Sequence, residues 1–295
     1  MGKFDGVLLV SDFDDTLYGA DLRVPPVNVE AIEYFTSHGG TFTIATGRAH
    51  PTFAPHAQIV AINAPVILSN GSALYDFRAD RMVYETFLPD RAREDLQQLA
   101  RDIPEIGFEA YNHDDIYVYQ PNAVTRSHLN RAGMGASEVP IGEMPLPWSK
   151  VILQQENQVL RRVQQYMLER WGEEYEIIFS NAVLLEMTRK GSNKGGMVDY
   201  LVNYLGIDPE QVYCVGDNQN DIPMLARSAI PFAPANCAQE VKDWGAYVMG
   251  SCEEGWGAQT TRSRENIYQQ TKRPGRERQR ARFYMVQFSR AWYSA

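Results

Sequence analysis

The hydrophobic pattern of the first part of the chain predicts a parallel sheet. Residues 7–10 and 66–69 are short apolar runs, and residues 41–46 alternate β-branched with small side chains, so all three are predicted as buried strands. A helix is predicted over residues 27–37, because two prolines precede it and two glycines follow it. Strands that alternate with helices are typical of a parallel sheet with right-handed crossovers.

The middle of the chain has a different pattern, in which predicted strands and helices form a separate α+β module. The strands are predicted at residues 107–111, 116–120, 151–155, 175–179 and 184–188, and the helices at residues 91–101 and 159–171. The buried pattern then resumes with a helix at 192–205, a strand at 212–215, a helix at 221–227 and a strand at 229–233.

We therefore predict an α/β fold, in which a Rossmann-like, doubly wound parallel sheet carries an inserted α+β cap domain. The sheet domain is predicted to be discontinuous, with residues 1–85 and 189–261, and the cap to comprise residues 86–188. Residues 262–295 are predicted to form a basic C-terminal extension.

The chain has 295 residues and a formal net charge of −9, which is unevenly spread. Residues 262–295 carry a net charge of +7, so residues 1–261 carry −16. This acidic body disfavours nucleic acid as a partner, because the nucleic-acid backbone is itself anionic; the extension is the one candidate for such a contact. The extension is predicted either to dock on an anionic partner or, in the interpretation that we favour, to be solvated or folded on the acidic body.

Cysteine usage and hydropathy predict a cytoplasmic protein. The three cysteines include no CxxC pair, so neither a disulfide framework nor a thiolate zinc site is indicated. No uncharged apolar run reaches the roughly 18–20 residues that a membrane-spanning helix needs, and the first residues turn acidic too early for a secretory signal. We expect no membrane contact and either a monomer or a homodimer.

Acidic residues follow two of the predicted buried strands. Asp12 and Asp14 come after the first strand, and Asp217 and Asp221 come after residues 212–215. In open parallel sheets, ligands bind in the crevice beyond the carboxyl ends of the strands. A set of oxygen ligands without histidine or cysteine favours a hard ion such as Mg²⁺.

Thr46 and Lys194 are expected at the same crevice. Thr46 ends a predicted strand, and Lys194 lies near the start of the helix that follows the insertion. A hydroxyl and an ammonium beside carboxylates and a cation suit phosphoryl transfer, in which a carboxylate acts as the nucleophile. Alone, the aspartates and Thr46 are also explained as turn or helix-cap residues, and Lys194 as a solvated helix residue, so the pattern predicts this chemistry without fixing the role of each residue.

Four motifs in order resemble the haloacid dehalogenase (HAD) superfamily. The first is DFDDTL at residues 12–17, the second is Thr46-Gly47-Arg48, the third is Lys194 within SNKGG, and the fourth is GDNQNDIPML at residues 216–225. Their order and spacing are similar to those of the Cof-type phosphatases, whose α/β cap lies between the second and third motifs. The resemblance covers residues 5–258 and implies a HAD-like fold for the sheet domain.

The resemblance also implies roles for the acidic residues. Asp12 corresponds to the nucleophile and Asp14 to the general acid and base. Mg²⁺ would be bound by Asp12, by the main-chain carbonyl of Asp14 and by Asp217, with Asp221 acting through water. Because relatives that keep a stable aspartyl-phosphate lack an aspartate at the place of Asp14, its presence favours hydrolysis or mutase chemistry.

The remaining motif residues correspond to positions that bind substrate. Thr46 and Lys194 would hold the phosphate, and Lys194 would also orient the nucleophile. Four further residues match positions where relatives contact substrate or shape the site: Arg48, Asn70, Gly71 and Asn220. One departure from the family pattern is Asp15, which stands where glycine is usual and is expected to cap the turn or to pair outward with a base.

Together these features predict a Mg²⁺-dependent phosphatase that hydrolyses a small phosphorylated metabolite, such as a sugar phosphate, through an aspartyl-phosphate. Two alternatives remain open at this point. One is a phosphomutase of the same fold, and the other is a non-hydrolytic binding or regulatory protein that uses its basic extension.

Overall fold

The computed structural model of the protein describes residues 2–255. The predicted basic extension at residues 262–295 lies outside the described residues. The chain divides into two compact units. The first holds the chain up to Ala45, the segment Ala57–Ala64 and the described residues from Val198 onward, and the second holds Thr46–His56 and Pro65–Met197. The predicted domain boundaries at residues 85, 188 and 261 stay predictions.

Residues 2–255 form eight α-helices and fourteen strands. The helices are Pro26–Ser37 (α1), His50–Phe53 (α2), Ala92–Asp102 (α3), Ala123–Ala132 (α4), Asn157–Trp171 (α5), Lys194–Leu205 (α6), Ile222–Leu225 (α7) and Gln239–Trp244 (α8). Within this part of the chain, no helix combines the length and the apolar character that crossing a membrane requires.

The strands alternate with these helices only in part, as their order shows. They are Leu8–Ser11 (β1), Thr41–Ile44 (β2), Val66–Leu68 (β3), Ala73–Asp76 (β4), Arg81–Glu85 (β5), Gly107–Asn112 (β6), Asp115–Tyr119 (β7), Ser137–Glu138 (β8), Lys150–Gln154 (β9), Tyr175–Asn181 (β10), Leu184–Arg189 (β11), Val212–Val215 (β12), Pro231–Ala233 (β13) and Tyr247–Val248 (β14).

The first unit contains a five-stranded sheet in the order β14-β13-β12-β1-β2, and each pair of neighbours is parallel. Every residue of β1 and β12 is buried, as the apolar runs in the sequence predict. The register sets Ser11 opposite Val215, so the two central strands end at the same level. The Asp12 N–H then donates to the Val215 carbonyl over 2.8 Å. The residues that follow these two strands therefore start side by side.

The second unit contains a six-stranded sheet in the order β10-β11-β9-β6-β7-β8, in which only the β7–β8 pair is parallel. On one face, buried side chains of α3 and α5 pack against the sheet in a large core that includes Trp148. On the other face, a smaller core joins Tyr111, Ile152 and Leu184 to Ala49, with α4 against it. The predicted α/β architecture, a parallel sheet together with an α+β unit, is confirmed.

The strand predicted at residues 66–69 pairs differently from the expectation. It was predicted as a third parallel strand, but β3 pairs antiparallel with β4, which pairs antiparallel with β5. The reason lies in the turn after β3, where Ser69, Asn70 and Gly71 have φ values of 49°, 53° and 100°. Three successive residues in the left-handed region reverse the chain, so the next segment folds back on β3.

Candidate active site

Three carboxylates come together at the ends of β1 and β12. Among the described residues, Asp12, Asp217 and Asp221 each offer an oxygen, and these oxygens all lie within 4.8 Å of one another. All three side chains are buried. Asp12 directly follows β1, while the other two belong to the segment after β12. These are three of the four acidic residues that the sequence predicts as metal ligands.

Hydrogen bonds hold two of these carboxylates in place. The Thr16 hydroxyl donates to Asp217 Oδ1 over 3.0 Å. Asp221 Oδ2 accepts from the backbone N–H groups of Asp217 and Asn218, both at 2.9 Å. Gly216 makes this turn possible, because a Cβ atom at that position would collide with the Asp221 side chain. The loop after β12 is therefore tied around the Asp221 carboxylate.

The donor set fits a hard divalent cation. Three buried carboxylates at this spacing concentrate negative charge, and like charges so close disfavour one another unless a cation lies among them. Their oxygen atoms are the ligands that Mg²⁺ prefers. Asp14 is half-buried; its expected contribution was its main-chain carbonyl, and that role stays a prediction.

Two thiols of the first unit stay protonated. Burial raises the pKa of Cys214, which lies on β12, and the Asp221 charge raises it further. Burial raises the pKa of Cys252 to about 12, with the carboxylate of Glu253 adding to the effect. Neutral thiols are poor nucleophiles and poor metal ligands, which disfavours either role for these two cysteines.

Asp15 shows why glycine is usual at its position. Its φ is 58°, in the left-handed region that glycine adopts freely and that aspartate and asparagine tolerate best among other residues. Its N–H donates to the Tyr18 carbonyl over 2.9 Å, and its carbonyl accepts from Asn236 Nδ2 over 2.7 Å. The side chain is exposed. Asp15 thus shapes the turn after Asp14.

The predicted phosphate-holding residues belong to the second unit. The Thr46 hydroxyl accepts from the Arg48 N–H over 3.1 Å, which leaves its own proton to be donated elsewhere. The Asn70 N–H donates to the Thr46 carbonyl over 3.0 Å, and the Ser69 N–H donates to the Arg48 carbonyl over 2.9 Å. The second motif and the turn after β3 are thereby one hydrogen-bonded loop.

Lys194 is the first residue of α6 and is buried. The segment before it packs against the turn after β3, since a Cβ atom on Gly71 would collide with the Asn193 backbone. Gly71 therefore fits both the φ of 100° and the close approach. Asn220 is buried in the short 3₁₀ turn Gln219–Asp221 of the first unit. We expect the acidic residues, Thr46 and Lys194 to share one crevice, and this stays a prediction.

Two supporting residues escaped the sequence reasoning. Thr16 lies inside the first motif, but only the structure shows that its hydroxyl binds Asp217. Lys150 begins β9, and its ammonium donates to the Gly47 carbonyl over 2.6 Å. For Lys150, the sequence shows only a charged residue at the start of an apolar strand. This pattern is too common to identify a supporting residue.

The sequence model of a family described as haloacid dehalogenase-like hydrolase matches residues 9–257. The chain belongs to this family. The predicted family is confirmed, and the prediction of a hydrolase is confirmed with it.

Several known proteins are similar to this member of the family. Pyridoxal phosphate phosphatase YbhA of Escherichia coli is 25% identical, over 82% of this chain and 93% of that protein. An HMP-PP phosphatase of Serratia proteamaculans is 24% identical, over 84% of this chain and 91% of that protein. The structure of a HAD subclass IIB sugar phosphatase matches with a TM-score of 0.74 and 21% identity, over 85% of this chain and 96% of that one.

Proposed function

We propose that this HAD-family phosphatase depends on Mg²⁺ and hydrolyses small phosphorylated metabolites, sugar phosphates among them, through an aspartyl-phosphate intermediate. The observation that carries the proposal is the convergence of three buried carboxylates at the ends of β1 and β12. The names of the similar proteins support it, because they include a pyridoxal phosphate phosphatase and a sugar phosphatase.

Asp12, Asp217 and Asp221 would hold the cation. When bound, Mg²⁺ supplies positive charge that offsets the charge of the phosphoryl group and of the carboxylates around it. The hydrogen bonds to Asp217 and Asp221 keep both carboxylates in place for this task, since outer hydrogen bonds orient metal ligands.

The chain's own residues then divide the reaction into two steps. In the first, the Asp12 carboxylate oxygen forms a bond to phosphorus, the bond from phosphorus to the alcohol oxygen breaks, and Asp14 gives that oxygen its proton. In the second, Asp14 takes a proton from water, the water oxygen bonds to phosphorus, and the Asp12 carboxylate is released with inorganic phosphate. Thr46 and Lys194 have the family's role of holding phosphate oxygens.

The test is phosphate release from a panel of phosphorylated metabolites, with Mg²⁺ and with a chelator. We expect Asp12→Asn to lower turnover by at least about a thousandfold. Asp15→Asn is the matched control, because it makes the same chemical change three residues away at a φ that asparagine tolerates. Turnover by Asp12→Asn at the level of the control, or release that ignores the chelator, would refute the proposal. An isomer in place of free phosphate would indicate a mutase.

A further inference from the structure

A buried ion pair in the second unit lies directly on the second motif. The side chains of Lys150 on β9 and Glu186 on β11 are 2% and 6% exposed, and Lys150 Nζ lies 3.4 Å from Glu186 Oε2. The same ammonium donates to the Gly47 carbonyl over 2.6 Å and lies 4.5 Å from the centre of the Tyr111 ring. Its three protons therefore have an anion, a carbonyl and an aromatic face as partners.

All three backbone carbonyls of the second motif, including that of Gly47, accept hydrogen bonds. The carbonyls of Thr46 and Arg48 accept from the backbone of the turn after β3, while the carbonyl between them accepts from Lys150. Three consecutive carbonyls are thus held, and the middle one is held by a side chain. A hydrogen bond from an ammonium is stronger than one from a neutral donor.

The held carbonyl and the Arg48 N–H belong to the same peptide unit. Because a trans peptide is planar, its C=O and N–H point in opposite directions and turn together. Lys150 binds one end of this plane, and the other end donates to the Thr46 hydroxyl over 3.1 Å. Gly47 has no Cβ to restrain the plane. A Cβ atom added to Gly47 would lie 3.1 Å from Glu186 Oε1.

We propose that Lys150 is a positioning residue: by holding the Gly47–Arg48 peptide plane, it fixes the direction in which the Thr46 hydroxyl donates its proton to the substrate's phosphate. This inference rests on the proposed function, in which Thr46 holds that phosphate. Glu186 pairs with this ammonium and holds it in place.

A purely structural role explains the pair poorly. The free energy lost when two charges are removed from water offsets much of the free energy gained from their attraction. Buried ion pairs can therefore often be replaced by apolar residues without loss of stability. A role in orienting the motif accounts for a buried lysine at this place, where an apolar side chain would fill the space but leave the Gly47 carbonyl without its donor.

The test compares two matched double variants. Lys150→Met/Glu186→Gln removes both charges, so no buried charge is left without its partner. Lys190→Met/Glu176→Gln is the control, because Lys190 Nζ also donates to a glycine carbonyl, that of Gly172 at 2.8 Å, and lies 3.9 Å from Glu176. The control pair is more exposed and, among the described residues, has no contact with the second motif. Glu176 accepts from the Gly191 N–H beside the third motif, and glutamine keeps an oxygen acceptor for this bond.

Three readouts are expected to separate the variants. In the Lys150 variant, the Arg48 amide should exchange its hydrogen at least about tenfold faster, and inorganic phosphate with Mg²⁺ should bind about tenfold more weakly. Its kcat/KM should fall by about 10- to 100-fold, the size of effect that a small misplacement near the reacting group causes. The control should match the wild type in all three.

Equal exchange at Arg48 and equal phosphate affinity in the two variants would overturn the proposal. If the Lys150 variant does not fold, NMR of the wild type provides the test. Slowly exchanging protons on the Lys150 ammonium, with a nuclear Overhauser contact to Gly47, would support the proposal. The absence of such protons would overturn it. A wild type that neither binds phosphate nor hydrolyses any substrate refutes the proposed function instead, and Arg48 exchange still shows whether Lys150 holds the loop.

Discussion

Buried carboxylates occur in both units, but their immediate neighbours differ. At the strand ends of the five-stranded sheet in the first unit, Asp12, Asp217 and Asp221 place their oxygens within 4.8 Å of one another. Carboxylates gathered in this way accumulate negative charge, which suits a site that binds a divalent cation and a phosphoryl group.

In the six-stranded sheet of the second unit, each of two buried glutamates faces a base. Glu109 Oε1 and Oε2 both lie 3.0 Å from His128 Nδ1, and Glu186 lies 3.4 Å from the Lys150 ammonium. Tyr111 also donates to Glu109 Oε2 over 2.8 Å. These carboxylates are matched by groups of the chain itself.

Burial alone therefore does not distinguish these two kinds of carboxylate. A carboxylate matched by a base and by hydrogen bonds is neutralised within the fold and serves to order it. Carboxylates crowded together concentrate negative charge, an arrangement that favours a divalent cation. Three experiments test this contrast.

The largest effect is expected from Asp217→Asn. Removing one ligand should lower kcat/KM by at least about a hundredfold, since lost interactions around a metal alone cost 10- to 100-fold. Saturating Mg²⁺ should raise the melting temperature of the wild type by about 5 °C, because it binds only the folded state, and this rise should be largely lost in the variant. A wild-type melting temperature that ignores Mg²⁺ would contradict the cation site.

Gly216→Ala should be the next in size. The added Cβ collides with the Asp221 side chain, and such overpacking costs about 1–3 kcal/mol of the free energy of unfolding. Denaturant titration measures this loss. Gly135→Ala is the matched control, because no atom lies within 4 Å of its added Cβ, and it should change stability by less than about 0.5 kcal/mol. Equal losses in both would show that the turn around Asp221 is loosely packed.

Glu109→Gln should have a smaller effect that depends on pH. Burial raises the pKa of Glu109, but the hydrogen bond and charge of His128, together with hydrogen bonds from Gln154 and Tyr111, outweigh burial and hold the pKa below its ordinary value of 4.5. Because the folded carboxylate binds its proton less readily than the unfolded one, its stabilising effect is complete above about pH 4.5 and is lost as pH falls through the lowered pKa.

The variant should therefore be less stable than the wild type by about 0.5–1.5 kcal/mol at pH 7, the net contribution of a typical hydrogen bond, since glutamine keeps one of the two oxygen acceptors. The gap should narrow as the pH falls below 4.5. Denaturant titrations at a series of pH values measure it. A gap that widens on acidification would contradict the sign of the shift.

The sequence predicted the central strands well because both are continuously buried. The prediction for residues 212–215 matches β12, and β1 is shifted by one residue from its prediction. The hairpin of β4 and β5 was missed, since the reversal after β3 depends on left-handed φ values at Ser69 and Asn70 that the residue types only permit. Helix α4 was missed as well, because it carries few apolar residues.

The candidate site also has a part that the sequence predicts and a part that it does not. The acidic residues could be predicted because a motif fixes them next to buried strand ends. The residues that support them could not be predicted, because the contacts are distant in sequence. Thr16 and Asp217 are 201 positions apart, and Lys150 and Gly47 are 103 positions apart. Contacts over such distances depend on strand register and on the packing of separate sheets, and no local pattern reports either.

The most direct test of the central claim is to trap the intermediate on Asp12. Asp14→Asn should still transfer phosphate from p-nitrophenyl phosphate, whose leaving group needs no proton, but should be slow to activate water. We predict a burst of about one nitrophenolate per protein, followed by slow turnover, with the phosphoryl group on the Asp12 peptide and sensitive to hydroxylamine. A burst that persists in Asp12→Asn/Asp14→Asn, or a label on any other residue, would contradict the account.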